Sequence, residues 1–308
     1  MKYLEQTKIF TQDNLISLDE CVLAALELFQ TVDIKKWDFS KFKKPLIAGS
    51  GNAIVTAQII FSWIDAIFCD ETNFDSAIQK DIDWVIILSA SGEKHAPIFA
   101  ENSQKLWFET YLITCSNNSS AEKIIWEKHT IITPKNREPY TYNTSTYMGW
   151  VLANTWENPQ EIYKYIQEKI DPIVNNFDFS QFSSYLLLTP NNFAGVNQLF
   201  RVKFIELFGR KIARDVFSYE HMKHAITVVP DDNELAISFW EWEFDFENTK
   251  LNIPLPADWD LATIMAIWYY VIGKIQQSYP NYFQENIWNY IKRANESWFS
   301  KGLKVIVD

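Results

Sequence analysis

Glycine is scarce in this chain. Only 8 of its 308 residues are glycine, about a third of the ~7% usual in globular proteins. A backbone this poor in glycine places it where the chain turns sharply or approaches something closely. Three of the eight, Gly49, Gly51 and Gly92, directly follow apolar segments that read as strands. Cysteine is also sparse. Cys21, Cys69 and Cys115 sit in apolar surroundings without metal-ligand spacing, so they read as reduced core thiols of a cytoplasmic protein. Positive charge is in the minority: 28 Lys and Arg face 39 Asp and Glu, a net charge of −11. That balance excludes a general nucleic-acid or anionic-membrane binder, which needs a basic face. It leaves room for a local positive pocket that takes a small phosphate. Long apolar runs are missing too. None reaches the roughly 18 residues of a membrane span, and the segment Met1 to Lys8 has no apolar signal region.

What is present is core-forming material, with 47% hydrophobic and 16% aromatic residues. Asn14 to Gln30 carries helical periodicity through Leu15, Leu18, Val22, Ala25, Leu26 and Phe29. Apolar strands follow at Pro45–Ala48, Ala66–Cys69, Asp83–Leu88, Thr110–Thr114 and Thr130–Thr133, with helical stretches between most of them. Near-continuous apolar strands alternating with helices imply an α/β fold with a mainly parallel sheet covered on both faces. A helix through Tyr147 to Trp156 and a connecting helix over Asn158–Asn175, broken at Pro172, lead into a second series. There Tyr185–Pro190, Thr227–Pro230, Leu235–Phe239 and Lys304–Val307 read as strands. Phe193–Arg214, Leu261–Gln277 and Tyr282–Ser297 read as helices. The expected organisation is a helical segment over 1–44, one α/β unit over 45–157, a connector over 158–180 and a second unit over 181–308.

The ends of the first strands carry the chemistry. Gly49-Ser50-Gly51-Asn52 is not a dinucleotide fingerprint, since Ile54 stands where the third glycine belongs, and it is not a P-loop. Ser89-Ala90-Ser91-Gly92-Glu93-Lys94 ends the next long strand. Cys115 to Ser120 ends the one after. Each by itself reads as an ordinary strand-to-helix turn. Together they offer hydroxyls and free backbone N–H groups at helix starts, where an anion binds. In parallel sheets, ligands sit outside the carboxyl ends of strands near a change in strand order.

These turns, in this order, resemble the sugar isomerase (SIS) domain family. The resemblance is carried by Gly49-Ser50-Gly51-Asn52-Ala53, Ser89-Ala90-Ser91-Gly92-Glu93, Ile113-Thr114 leading to Ser119-Ser120-Ala121, and Glu138 followed by Asn143-Thr144. In the second half, Lys203-Phe204-Ile205-Glu206 and Glu220-His221-Met222-Lys223-His224-Ala225 are similar to the helix and histidine segment of ketose–aldose isomerases. It spans about Pro45 to Phe239. It implies two SIS subdomains, a homodimer, and a sugar phosphate held by Gly49, Ser50, Gly51, Asn52, Ser89, Ser91, Gly92, Lys94 and Thr144. It further implies that Glu206 moves a proton between C1 and C2, and that His224 opens the sugar ring, often from the partner subunit. Glu138 and Lys203 join the catalytic set, and Arg137 stabilises enediolate oxygens. The chemistry needs one carboxylate base, a histidine titrating near neutrality and donors near the oxyanion. It requires no metal or organic cofactor.

Two departures stand out. Lys94 occupies a position where the family has threonine. The histidine lies 18 residues beyond Glu206, which makes His221 a rival to His224. Plainer readings compete as well. Lys203, Glu206 and Arg210 share one helical face and could form a solvated ion-pair stripe. His224 could be a surface histidine, and His95 and His129 read as structural. The aromatics Trp240, Trp242, Trp268, Tyr269, Tyr270, Trp288 and Trp298 read as core or interface. The leading expectation is an isomerase of a hexose 6-phosphate. The alternatives are a non-catalytic sugar-phosphate sensor and a deglycase or lyase of amino-sugar phosphates.

Overall fold

The computed structural model describes residues 1–125, 129–225, 229, 231–239, 249–297 and 302–308. The chain forms two compact units. The small unit comprises Val32–Lys135 with Thr146–Trp156, and the large unit comprises Met1–Thr31, Asn136–Ser145 and Glu157–Asp308.

The small unit is built on five strands, β1 (Leu46–Gly49), β2 (Ile67–Cys69), β3 (Val85–Leu88), β4 (Thr110–Thr114) and β5 (Thr130–Ile132). All neighbours are parallel, in the order β2-β1-β3-β4-β5. Every residue of β1 and β3 is buried, as expected of parallel strands covered on both faces. Helices Asn52–Ile60, His95–Lys105 and Ser120–Ile124 supply that cover. Ala96, Phe99, Ala100 and Ala121 pack against Leu46, Val85, Ile87 and Leu112 in one core cluster. Each of the larger side chains among them, Phe99, Leu46, Val85, Ile87 and Leu112, contributes about 1.5–3 kcal/mol by leaving water. From β1 the chain first crosses to β2 on one side and then returns to β3 on the other. That reversal opens a crevice between the carboxyl ends of β1 and β3.

The large unit holds a four-stranded parallel sheet of β7 (Ser184–Thr189), β8 (Ala213–Ser218), β9 (Glu234–Ser238) and β10 (Thr249–Asn252), ordered β10-β9-β7-β8. Two short strands, β6 (Glu138–Pro139) and β11 (Ile306–Val307), pair antiparallel apart from it. The core of this unit is helix Leu261–Gln277, in which Trp268, Tyr269 and Tyr270 are all at most 1% exposed. Helix Leu18–Thr31 lies against it, with the Leu18 N–H donating to Gln276 Oε1 at 3.2 Å. Among the described residues no helix is long and apolar enough to cross a membrane.

Several elements differ from the sequence expectation. The stretch 1–44 is not a segment of its own: residues up to Thr31 fold with the large unit and the rest with the small one. The helix expected over Phe193–Arg214 spans only Asn197–Phe208. Gly209 ends it at φ +58°, a conformation that glycine alone takes readily, and β8 begins four residues later. Strands β8 and β10 carry polar residues (Arg214, Asp215, Lys250) that hide them from an apolar search. Pro172 does not break the connecting helix, because a π-helical turn over Ile166–Ile170 widens the helix just before the missing amide. The terminal strand pairs with β6 rather than joining the parallel sheet. Of the strand read at Thr227–Pro230 only Val229 is described, and it is exposed in a bend; Trp240, Trp242 and Trp298 lie outside the described residues.

Candidate functional site

In the small unit, the register that pairs Gly49 with Leu88 brings the turns after β1 and β3 side by side. Gly49 has no room for a side chain, since a Cβ there would lie 3.1 Å from both the Ile54 nitrogen and the Leu88 oxygen. Gly51 stands at φ +55° immediately before helix Asn52–Ile60. In the second turn, Ser89 Oγ accepts the Gly92 N–H at 3.1 Å and Ser91 Oγ accepts the Glu93 N–H at 3.3 Å. A hydroxyl that accepts in this way keeps its own proton for an incoming anion. Gly92 holds the turn against its neighbour. It sits at φ +65°, and a Cβ would fall 2.3 Å from Ser119 Oγ. Its carbonyl accepts the Ala121 N–H at 3.0 Å.

The third polar turn is engaged by the protein itself. Ser119 and Glu122 form a reciprocal capping box at the start of helix Ser120–Ile124. Glu93 takes the Ser120 N–H at 2.9 Å. The cap satisfies the amides that an anion would otherwise use. Ser50 is engaged too, donating to Glu71 Oε2 at 2.8 Å. Glu71, two residues beyond β2, was not singled out in the sequence; an acidic residue at a strand end looks like any solvated charge. Lys94 stands exposed at φ +57° before helix His95–Lys105.

The large unit gathers the predicted acid–base residues. Glu138 is 4% exposed. Its carboxylate accepts the Thr144 N–H at 2.6 Å and the Ser145 N–H at 2.8 Å, capping the helix that begins there. Burial pushes its pKa up, opposed by these donors and by the charge of Lys203. Lys203 is fully buried. Its ammonium donates to the Thr141 carbonyl at 2.7 Å, the Tyr142 carbonyl at 2.9 Å and Glu206 Oε2 at 2.7 Å. Glu206 keeps 21% of its side chain exposed. Burial raises its pKa, and Lys203 opposes the rise. The pair is therefore no solvated stripe, and Arg210 stands exposed beyond the end of the helix.

Other predicted residues fall elsewhere. The Arg137 guanidinium donates to the carbonyls of Phe10 at 2.8 Å and Thr7 at 3.3 Å, lies over the Phe10 ring and meets Asp308 at 3.4 Å. These contacts tie it to the chain around Thr7, Phe10 and Asp308. His221 and His224 are both exposed, on the short helix Tyr219–Lys223 and at its end. His129 is buried against Tyr111 with Nε2 2.9 Å from Glu109, and His95 stacks on Phe99. Tyr140 escaped notice. Burial raises its pKa to about 12, with the charge of Glu206 adding to the effect. Its signal in sequence was only its place two residues after Glu138.

Neither the family models nor the curated proteins contain a match to this sequence. Solved structures do share its fold. Glucosamine-6-phosphate deaminase from Thermotoga maritima aligns with a TM-score of 0.58 at 15% identity, over 90% of this chain and 94% of that one. The C-terminal domain of glucosamine-fructose-6-phosphate aminotransferase from Francisella tularensis aligns at 0.58 with 12% identity, over 87% and 98%. Tagatose-6-phosphate ketose/aldose isomerase from Escherichia coli aligns at 0.55 with 12% identity, over 86% and 88%. The likeness to these three structures extends over most of the chain and shows a shared fold.

Proposed function

Starting from that shared fold, we propose that the protein binds a hexose 6-phosphate and interconverts its aldose and ketose forms through an enediolate. The observation that carries this reading is the chemistry of Glu206. It is a mostly buried carboxylate with one open side, its pKa moved upward by burial and steadied by an adjacent ammonium. Such a group can accept a carbon-bound proton and return it to the neighbouring carbon. The phosphate falls to the turns after β1 and β3. Ser89, Ser91 and the amides around Gly49–Asn52 offer neutral donors, Gly92 holds the second turn in shape, and Lys94 supplies a cation beside them. Ser50 becomes available when Glu71 releases it. Glu138 and Thr144 shape the large unit's contribution. The ring-opening histidine is His224 or His221, and their exposure fits a histidine that serves a second copy of the chain in a homodimer. The named structural relatives, two acting on glucosamine or fructose 6-phosphates and one on tagatose 6-phosphate, support the substrate class.

The test is turnover with a panel of hexose 6-phosphates, run beside Glu206→Gln. That substitution should abolish turnover and leave ligand-induced thermal stabilisation in place. Wild-type turnover in Glu206→Gln rules it out as the base. One observation favours a second reading, a sugar-phosphate sensor. Arg137 bonds to Thr7, Phe10 and Asp308 and both histidines face solvent, so among the described residues none of the three is bonded to Glu206. A thermal shift with a hexose 6-phosphate and no turnover by any member of the panel would select the sensor.

A further inference from the structure

Lys203 occupies an unusual place for a residue of a reaction site. It is fully buried. Its three ammonium protons meet the Thr141 carbonyl, the Tyr142 carbonyl and Glu206 Oε2, at 2.7, 2.9 and 2.7 Å. An ammonium has three donors and no acceptor, so none remains for a substrate. The two carbonyls belong to a turn in which Thr141 (φ +72°) and Asn143 (φ +45°) are both left-handed without being glycine. That turn joins Glu138 to the helix start at Thr144 and Ser145 which Glu138 caps. The rings of Tyr142 and Tyr269 flank the ammonium at 5.8 and 5.5 Å. Among the described residues the one charged group that bears on Glu206 is Lys203 from its own helix; the charge of Glu206 in turn helps to keep the Tyr140 phenol, in the turn after β6, neutral.

We propose that Lys203 is a positioning residue: it never touches the substrate, fixes the carboxylate of Glu206 in one orientation and ionisation state, and clamps the left-handed turn that carries Glu138 into Thr144. The inference rests on Glu206 being the base. It follows from saturation of the ammonium. A lysine that held a sugar oxygen would need a donor to spare, and a lysine that only filled space would not need its charge beside a carboxylate. Removing the ammonium removes the one influence that lowers the Glu206 pKa and leaves burial, which raises it. The acid limb of any activity that needs ionised Glu206 must then move to higher pH.

The experiment compares wild type, Lys203→Met and Lys203→Arg. The carboxyl of Glu206 is followed by 13C NMR titration, and kcat and KM are followed against pH. In Lys203→Met the Glu206 titration should rise by about one unit or more. Turnover at neutral pH should fall about 100-fold with KM little changed. Lys203→Arg, which restores the charge, should bring the titration back toward the wild-type position. A Glu206 titration unmoved in folded Lys203→Met overturns the proposal. So does lost turnover with an unmoved acid limb, which would mean direct contact with the reaction. Should Lys203→Met fail to fold, the wild-type Lys203 ammonium decides by 15N NMR. A resonance protected from water exchange that follows the Glu206 titration supports the clamp, and a freely exchanging one overturns it. If no hexose 6-phosphate is turned over by the wild type, the isomerase reading falls while the NMR titration still decides the role of Lys203.

Discussion

The two parallel sheets share a strand order and differ at their carboxyl ends. Read from its β8 edge, the large sheet runs second, first, third, fourth strand, as the small sheet does from its β2 edge. Both therefore have a crevice where the order reverses, between β1 and β3 in one and between β7 and β9 in the other. In the large unit the protein's own side chains tie up this edge. Thr189 Oγ1 donates to Asn197 Oδ1 at 2.5 Å, Ser238 Oγ donates to Asn252 Oδ1 at 2.8 Å, and the Phe239 N–H donates to the Tyr219 hydroxyl at 3.1 Å. In the small unit Ser89 and Ser91 accept backbone amides and keep their protons, and Gly51 faces open space. Topology supplies a place for a ligand in both sheets. We propose the small unit's crevice as the site, because Ser89 and Ser91 keep their protons there even though Ser50 donates to Glu71.

The sharpest test of that contrast sets Glu206 against the closed crevice. Glu206→Gln should lower kcat about 1,000-fold and leave sugar-phosphate affinity unchanged, whereas Thr189→Val at the closed crevice should alter neither. Turnover and calorimetric titration check this. Next comes the glycine on which the open turn depends. Gly92→Ala should destabilise by about 3 kcal/mol, combining overpacking against Ser119 with a left-handed backbone. Gly51→Ala, strained at φ +55° but in open space, should cost about 1 kcal/mol; urea unfolding of the pair separates the two causes. For affinity, Ser89→Ala and Ser91→Ala should each weaken phosphosugar binding about tenfold. Ser238→Ala should leave binding alone and cost about 1 kcal/mol of stability.

A pH titration of stability compares the units by another route. Burial raises the folded-state pKa of Glu138 and Glu206 above the ordinary 4.5. A raised carboxyl pKa means that the folded state holds protons the unfolded chain has released. The stabilisation is present in acid and is lost as pH rises from about 4.5 through the folded pKa. Asp38 and Asp70 in the small unit behave oppositely, held down by hydrogen bonds from Ser40 and Thr72. Wild type should accordingly gain more stability on acidification from pH 7 toward 5 than the double variant Glu138→Gln/Glu206→Gln, by about 1 kcal/mol. Thermal unfolding across that range reads the difference. The smallest effect belongs to Glu71→Gln, which should tighten phosphate binding about threefold at low salt and less at high salt.

Much of the small unit was legible in advance. Its strands β1 and β3 are apolar and buried throughout, and its glycines stand out in a glycine-poor chain. Strands β8 and β10 were not legible, because edge strands keep polar residues on the side that no helix covers. β8 and β10 are the two edges of their sheet. Candidate residues followed the same rule. Ser89, Ser91 and Gly92 sit at a strand end and were found together. The contacts of Arg137 were not legible, because its partners Thr7, Phe10 and Asp308 are distant in sequence.

The sequence by itself determined the alternation of strands and helices, the polar turns after β1 and β3, and the K-x-x-E spacing of Lys203 and Glu206. Those are local properties, written in periodicity and in residue type. Only the tertiary structure decided that Ser119 and Glu122 cap a helix, that Glu71 reaches Ser50, and that Lys203 is sealed with every proton in use. Whether a charged group is a solvated ornament or a buried clamp depends on what distant segments fold over it. In this chain the turn at Thr141 and Tyr142 makes that choice for Lys203, about sixty positions away.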